Sequence, residues 1–92
     1  MELIAGGMLI KQLANPSTQK IEDILSATEL QIWNNRISTT IQTDSANATI
    51  YGDDPSNGAT GLSIAGNSTL TLAYRGPLWV TAAGTVTLVI LY

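Results

Sequence analysis

From Leu30 to the C-terminus the sequence is a train of short runs in which apolar and polar residues alternate, each run closed by turn-forming residues. Alternation with a period of two puts one set of side chains on each face of an extended strand. Leu30 and Ile32 alternate with Gln31 and Trp33 before Asn34-Asn35. Ile37, Thr39 and Ile41 share one face against Ser38, Thr40 and Gln42, and Asp44-Ser45 ends the run. Ala46, Ala48 and Ile50 alternate with Asn47, Thr49 and Tyr51. The segment Gly52-Asp53-Asp54-Pro55-Ser56-Asn57-Gly58 is the strongest loop: Asp54-Pro55 suits the start of a type I turn, and Asn57-Gly58 tolerates positive φ. Leu62 and Ile64 lead to Ala65-Gly66-Asn67-Ser68, a hairpin signal. Thr69–Tyr74, a corner at Arg75-Gly76-Pro77, Leu78–Ala82, a turn at Ala83-Gly84 and Thr85–Tyr92 complete the chain.

Short alternating runs with turn chemistry between them predict an all-β fold, a small antiparallel β-sandwich of about 6–8 short strands. Residues 17–92 are expected to form the sandwich domain. Residues 1–16, closed by Asn15-Pro16, are expected to be an N-terminal arm or an extra first strand. Between them, Ile21, Ile24 and Leu25 have helical spacing, with Glu22-Asp23 near a helix start. The segment is short for an independent helix, so a strand or irregular connection is expected at 17–29.

Composition removes whole classes of chemistry. The 92 residues contain no cysteine and no histidine, so there is no disulfide, no thiolate ligand and no imidazole base. Only 12% of residues are charged, the net charge is −3, and 45% are hydrophobic. Such a chain is neither disordered nor strongly charged. The four basic residues, Lys11, Lys20, Arg36 and Arg75, are scattered, which argues against nucleic acid as a partner. The apolar N-terminus carries Glu2 where a signal peptide wants a base, and Lys11 interrupts it. The uncharged stretch from Gly76 to Tyr92 contains Pro77 and Gly84 and alternates like a strand, so no membrane partner is expected.

Each candidate catalytic or binding motif has a plainer reading. Gly61-Leu62-Ser63-Ile64-Ala65 lacks the second glycine of a nucleophile elbow and any histidine. Asp53-Asp54 and Glu22-Asp23 are adjacent pairs whose side chains diverge on an extended chain. The 53–58 loop lacks an acid at Pro55 and a glutamate at Ile64, as a calcium loop of the EF-hand type would require. Sequons at Asn47 and Asn67 are explained by chance in a sequence rich in Thr and Asn. Trp33, Trp79, Tyr51 and Tyr74 could stack on sugars, but no polar cluster accompanies them in sequence. No enzymatic role, cofactor or metal is expected.

The last strand is unusual. Val86, Leu88, Ile90 and Tyr92 lie on one face, yet Val89 and Leu91 make the other face apolar too. A strand apolar on both faces is covered twice. In so short a chain the second cover is expected to be another subunit. Trp33, read as a strand residue on the face of Gln31 and Glu29, would be partly exposed, as interface anchors are. The expected interface set is Trp33, Trp79, Val89, Leu91, Tyr92, Leu9 and Ile10.

Over two thirds of its length, from Leu30, the chain resembles small β-sandwich virion proteins of tailed bacteriophages. The resemblance rests on the order and spacing of several pieces: Leu30-Gln31-Ile32-Trp33-Asn34-Asn35, Ala48-Thr49-Ile50-Tyr51-Gly52, Asn57-Gly58 and Leu62 to Gly66. Leu70-Thr71-Leu72, Gly76-Pro77-Leu78-Trp79 and Ala82-Ala83-Gly84-Thr85 follow. The stretch between Asn35 and Ala46 looks like an insertion that lengthens one hairpin. The resemblance implies a structural role, foremost capsid decoration (cement), and brings no catalytic residues. Its implied partners are the major capsid protein and other copies of itself, with a trimer the first expectation. The implied location is the capsid surface of the virion, after synthesis in the host cytoplasm. A tail, neck or fibre subunit, or a carbohydrate-binding module, is the alternative.

Overall fold

The computed structural model describes residues 7–92. Positions 1–6 of the expected N-terminal arm lie outside them. The rest of that segment is a strand, β1 (Met8–Ala14), as one of the two expectations had it. It is followed by β2 (Gln19–Lys20), helices α1 (Ile21–Ile24) and α2 (Ala27–Asn34), then β3 (Ser38–Thr43) and β4 (Ala48–Tyr51). A single 3-10 turn (Pro55–Asn57) precedes β5 (Leu62–Ile64), β6 (Thr69–Leu72), β7 (Trp79–Ala82) and β8 (Thr85–Leu91).

The strands form two antiparallel sheets of four, in the orders β1-β8-β3-β6 and β2-β7-β4-β5. Their inner faces supply one core: Leu13, Ile41, Val86, Leu88 and Ile90 from the first sheet, Ala48, Ile50, Ile64 and Val80 from the second. The expected sandwich is the observed one, with eight strands. Ladder partners run outward from the middle of the chain: β4 with β5, β3 with β6, β2 with β7, β1 with β8. This is one long hairpin rolled up so that β8 also pairs with β3 and β7 with β4. Eight strands arranged in this way are a jelly roll.

The hub of that hairpin is the loop singled out in the sequence. Asp54 caps the 3-10 turn by accepting from Ser56 N–H at 2.9 Å, Pro55 opens it, and Gly58 closes it at φ 80°. The hairpin expected at 65–68 is corrected by the sheet order. The turns at 65–68 and 83–84 join β5 to β6 and β7 to β8, which lie in different sheets. They are arches across the core rather than reversals within a sheet. Asn67 takes the positive φ (55°) that such a tight corner needs.

The second correction concerns residues 21–35, expected to be strand or irregular. Ser26 Oγ accepts from Glu29 N–H at 3.2 Å, and the Glu29 carboxylate accepts from Ser26 N–H at 2.9 Å. This capping box fixes the start of α2. Lys11 Nζ reaches Glu29 at 3.2 Å and ties the helix to β1. The piece of the phage resemblance at Leu30–Asn35 is therefore helical. Ile37, expected on the buried face of β3, precedes the strand and is exposed.

Candidate interaction surface

The outer face of the first sheet is the most unusual surface of the chain. Its outward positions are Met8, Ile10, Gln12 and Ala14 on β1, Thr85, Thr87, Val89 and Leu91 on β8, Ser38, Thr40 and Gln42 on β3, and Thr69 and Thr71 on β6. None of these residues is charged. One corner is wholly apolar. Met8 pairs with Leu91 and Ile10 with Val89, and Met8 and Ile10 are 60% and 58% exposed. The remaining area is mostly hydroxyl, including Thr40 and Thr71, whose Oγ1 atoms lie 2.9 Å apart. The inner face of β8 explains why the corner exists: Val86, Leu88 and Ile90 are fully buried, so the strand spends one face on its own core and presents Val89 and Leu91 to the other side.

Of the expected interface set, Ile10, Val89 and Leu91 meet on this corner. Met8 completes it and was missed, because the adjacent glycines Gly6-Gly7 hide the alternation of Met8–Leu13. Leu9 does not belong to it: it faces inward and packs on the core. Tyr92 lies at the end of the sheet with its ring over Gly7, where a Cβ would collide with it.

Trp33 is corrected outright. It is fully buried, because a helical period turns it toward the core. Its Nε1–H donates to Glu22 Oε2 at 2.7 Å, and the Arg36 guanidinium stacks on the indole 3.6 Å from the ring centroid. Arg36 is itself buried and donates to the Trp33 carbonyl at 2.9 Å and to the Gly76 carbonyl. Burial lowers the guanidinium pKa from its usual value, opposed by the Glu22 carboxylate. Glu22, Trp33 and Arg36 thus form an internal polar strut that anchors α2 to the corner before β7.

Trp79 is on the opposite surface, the outer face of the second sheet. There Lys20, Trp79 and Tyr51 are direct cross-strand neighbours in one row. Lys20 Nζ lies 5.3 Å from the Trp79 ring centroid, and Tyr51 packs over Gly61, where a Cβ would meet its ring. The nearby Tyr74 is exposed and donates its O–H to the Gly52 carbonyl at 3.1 Å.

The acidic residues behave as turn builders. Asp53 Oδ1 accepts from Asp54 N–H at 2.8 Å. The Ser56 N–H and hydroxyl hold Asp54 below the usual carboxylate range. Asp44 accepts from Ala46 N–H at 2.9 Å and Thr85 N–H at 2.8 Å, which lowers its pKa in the same way. Among the described residues no three acidic, cysteine or histidine side chains are grouped to hold a metal ion, and no helix is long and apolar enough to cross a membrane.

Scanned against family models, curated proteins and solved structures, the chain matches none of them.

Proposed function

We propose that the chain is a structural subunit of a protein shell, a decoration (cement) protein that binds an assembled phage capsid by burying its uncharged sheet face. One observation carries the reading: the Met8, Ile10, Val89 and Leu91 corner, apolar and unpaired on a sheet already covered on its other side. A standard interface hides about 800 Å² per partner, roughly one-seventh of the 5329 Å² this chain exposes. Fully burying an aliphatic side chain gives about 1.5–3 kcal/mol, so the corner supplies several kcal/mol gross before the cost of association. The hydroxyl-rich remainder suits the polar rim of such a contact. Jelly rolls recur in viral capsid domains and also in lectins, so topology alone supports two readings. The phage resemblance favours the first, with the major capsid protein as partner and the virion surface as location. A tail, neck or fibre subunit would use the same face.

The test is co-sedimentation of the purified chain with empty capsids of its own phage. Wild type should pellet with the shells, and Val89→Lys should stay in solution. Failure of wild type to bind, or equal binding by Val89→Lys, overturns the reading. The row of Lys20, Trp79 and Tyr51 favours a second reading, sugar binding, because stacking rings and a charged donor share one open sheet face. A glycan-dependent change in tryptophan fluorescence that vanishes in Trp79→Phe would replace cement with that reading.

A further inference from the structure

We propose that β1 is a pairing edge for a second copy of this chain, the two strands running antiparallel about a two-fold axis at Ile10. The reasoning starts from backbone groups. Gly7 and Tyr92 exchange both N–H···O bonds, at 2.8 and 3.0 Å, and Asn15 N–H donates to the Gly84 carbonyl at 3.1 Å. In an antiparallel ladder the bonded residues alternate, so odd positions of β1 face β8 and even positions face away. Met8, Ile10, Gln12 and Ala14 therefore point their N–H and C=O groups out of the sheet, whose order ends at β1.

Edges are normally blunted by shortness, proline, charge or a bulge. The other edges, β2, β5 and β6, have two, three and four residues. β1 has seven, none of them proline. Its one charge, Lys11, faces inward and is neutralised by Glu29. Among the described residues the edge thus offers unpaired backbone beside the apolar corner, with no charge to repel an identical edge.

The register follows. Opposed residues must share a face and have outward backbone groups, so even positions oppose even positions, which holds for an axis at any residue of the strand. An axis at Lys11 would set two lysines side by side, and an axis at Leu9 would leave only Met8 to Ile10 of the strand paired. An axis at Gln12 would set Met8 against the partner's Pro16, beyond the strand end at Ala14, where Asn15 turns at φ 47°. An axis at Ile10 sets Ile10 against the partner's Ile10 and Met8 against the partner's Gln12. The first sheet then continues across the seam, and the two Met8, Ile10, Val89 and Leu91 corners merge into one apolar band. Lys11 meets the partner's Leu9, so like charges are not opposed. This edge gives a dimer; a trimer would need a different, head-to-tail contact. The inference is independent of what the combined face binds.

The experiment is the solution mass of the full chain by sedimentation equilibrium over a concentration series. Wild type should pass from one chain to two as concentration rises. Ile10→Pro removes an N–H that β8 does not use, and proline is tolerated at such an edge position. It should weaken the dimer roughly 10- to 100-fold, as expected for losing the reciprocal bond pair on the axis. Ile10→Lys, which brings two ammonium groups together, should do the same and decides the matter if the proline variant does not fold. Thr71→Lys, on the same outer face but at the far strand, should dimerise like wild type. A wild-type mass of one or three chains throughout, a dimer that survives both Ile10 substitutions, or one abolished by Thr71→Lys would overturn the proposal.

Discussion

Trp33→Phe separates a core tryptophan from an interface tryptophan. The indole is fully buried, and its N–H donates to a partly buried carboxylate at 2.7 Å. The other Glu22 oxygen is buried without a partner, so the variant leaves that carboxylate with no donor among the described residues. Hydrogen bonds to charged groups contribute about 1.5–3 kcal/mol. The smaller ring also leaves space beside the stacked Arg36, for about 1 kcal/mol more. The expected loss is about 2–4 kcal/mol, from a total of roughly 5–14 kcal/mol for a domain of this size. Urea unfolding followed by circular dichroism measures it, and a melting point lower by about 10 °C or more should accompany it. Removing the stranded charge with Glu22→Leu in the same background should restore part of the loss, since an unpaired buried charge is worse than an apolar isostere. A loss below about 0.5 kcal/mol would refute the strut, because that is the range of a surface substitution.

Three further perturbations test the arches and corners. Thr18 is β-branched yet sits at φ 51°; because the left-handed region costs about 1–2 kcal/mol for such residues, Thr18→Asn should raise the urea midpoint, by about 0.5–1 kcal/mol of stability. Glu29, Asp44 and Asp54 all titrate below the usual carboxylate range when folded. The stability they contribute is present at neutral pH and is lost as pH falls through their folded values, below the ordinary carboxylate range, and Asp44→Asn should flatten the pH dependence of the midpoint there. Gly84→Ala places a Cβ against the Asp44 carboxylate that binds Thr85 N–H, so a loss of about 1–3 kcal/mol is expected in the same unfolding assay.

The strands were legible because their information is local. Ile50 and Thr49, or Val86 and Thr87, declare opposite faces by alternation alone, and the loop around Asp54 and Gly58 declares itself by turn chemistry. Pairing is not local. A tight turn such as Ala65-Gly66-Asn67-Ser68 specifies that the chain bends, and the same residues serve a hairpin or an arch. Helix α2 was legible in Ser26 and Glu29, the two ends of a capping box. It was lost because Leu30 and Ile32 also fit a strand. That one choice of period moved Trp33 from the core to the surface. The apolar corner was half legible: Val89 and Leu91 follow from β8 having two apolar faces, whereas Met8 and Ile10 join them only once β1 is known to lie beside β8.

In a rolled hairpin each rung outward from the hub closes a longer loop, and β1 with β8 closes the longest. These are also the longest strands, seven residues each, so the most costly closure is matched by the most extensive ladder. The apolar residues that secure this rung on its inner face leave β1 at the border of the sheet with its alternate amides unpaired. Amide hydrogen exchange should read this residue by residue. In dilute solution Leu9, Lys11 and Leu13, bonded to β8, should exchange slowly, and Met8, Ile10 and Gln12 should exchange fast. At concentrations where the mass doubles, Met8, Ile10 and Gln12 should become protected while Leu9 and Lys11 stay as they were. Uniform protection along β1 when dilute would mean that its outer edge is already covered within one chain. Protection of Thr69 and Thr71 instead would move the seam to β6.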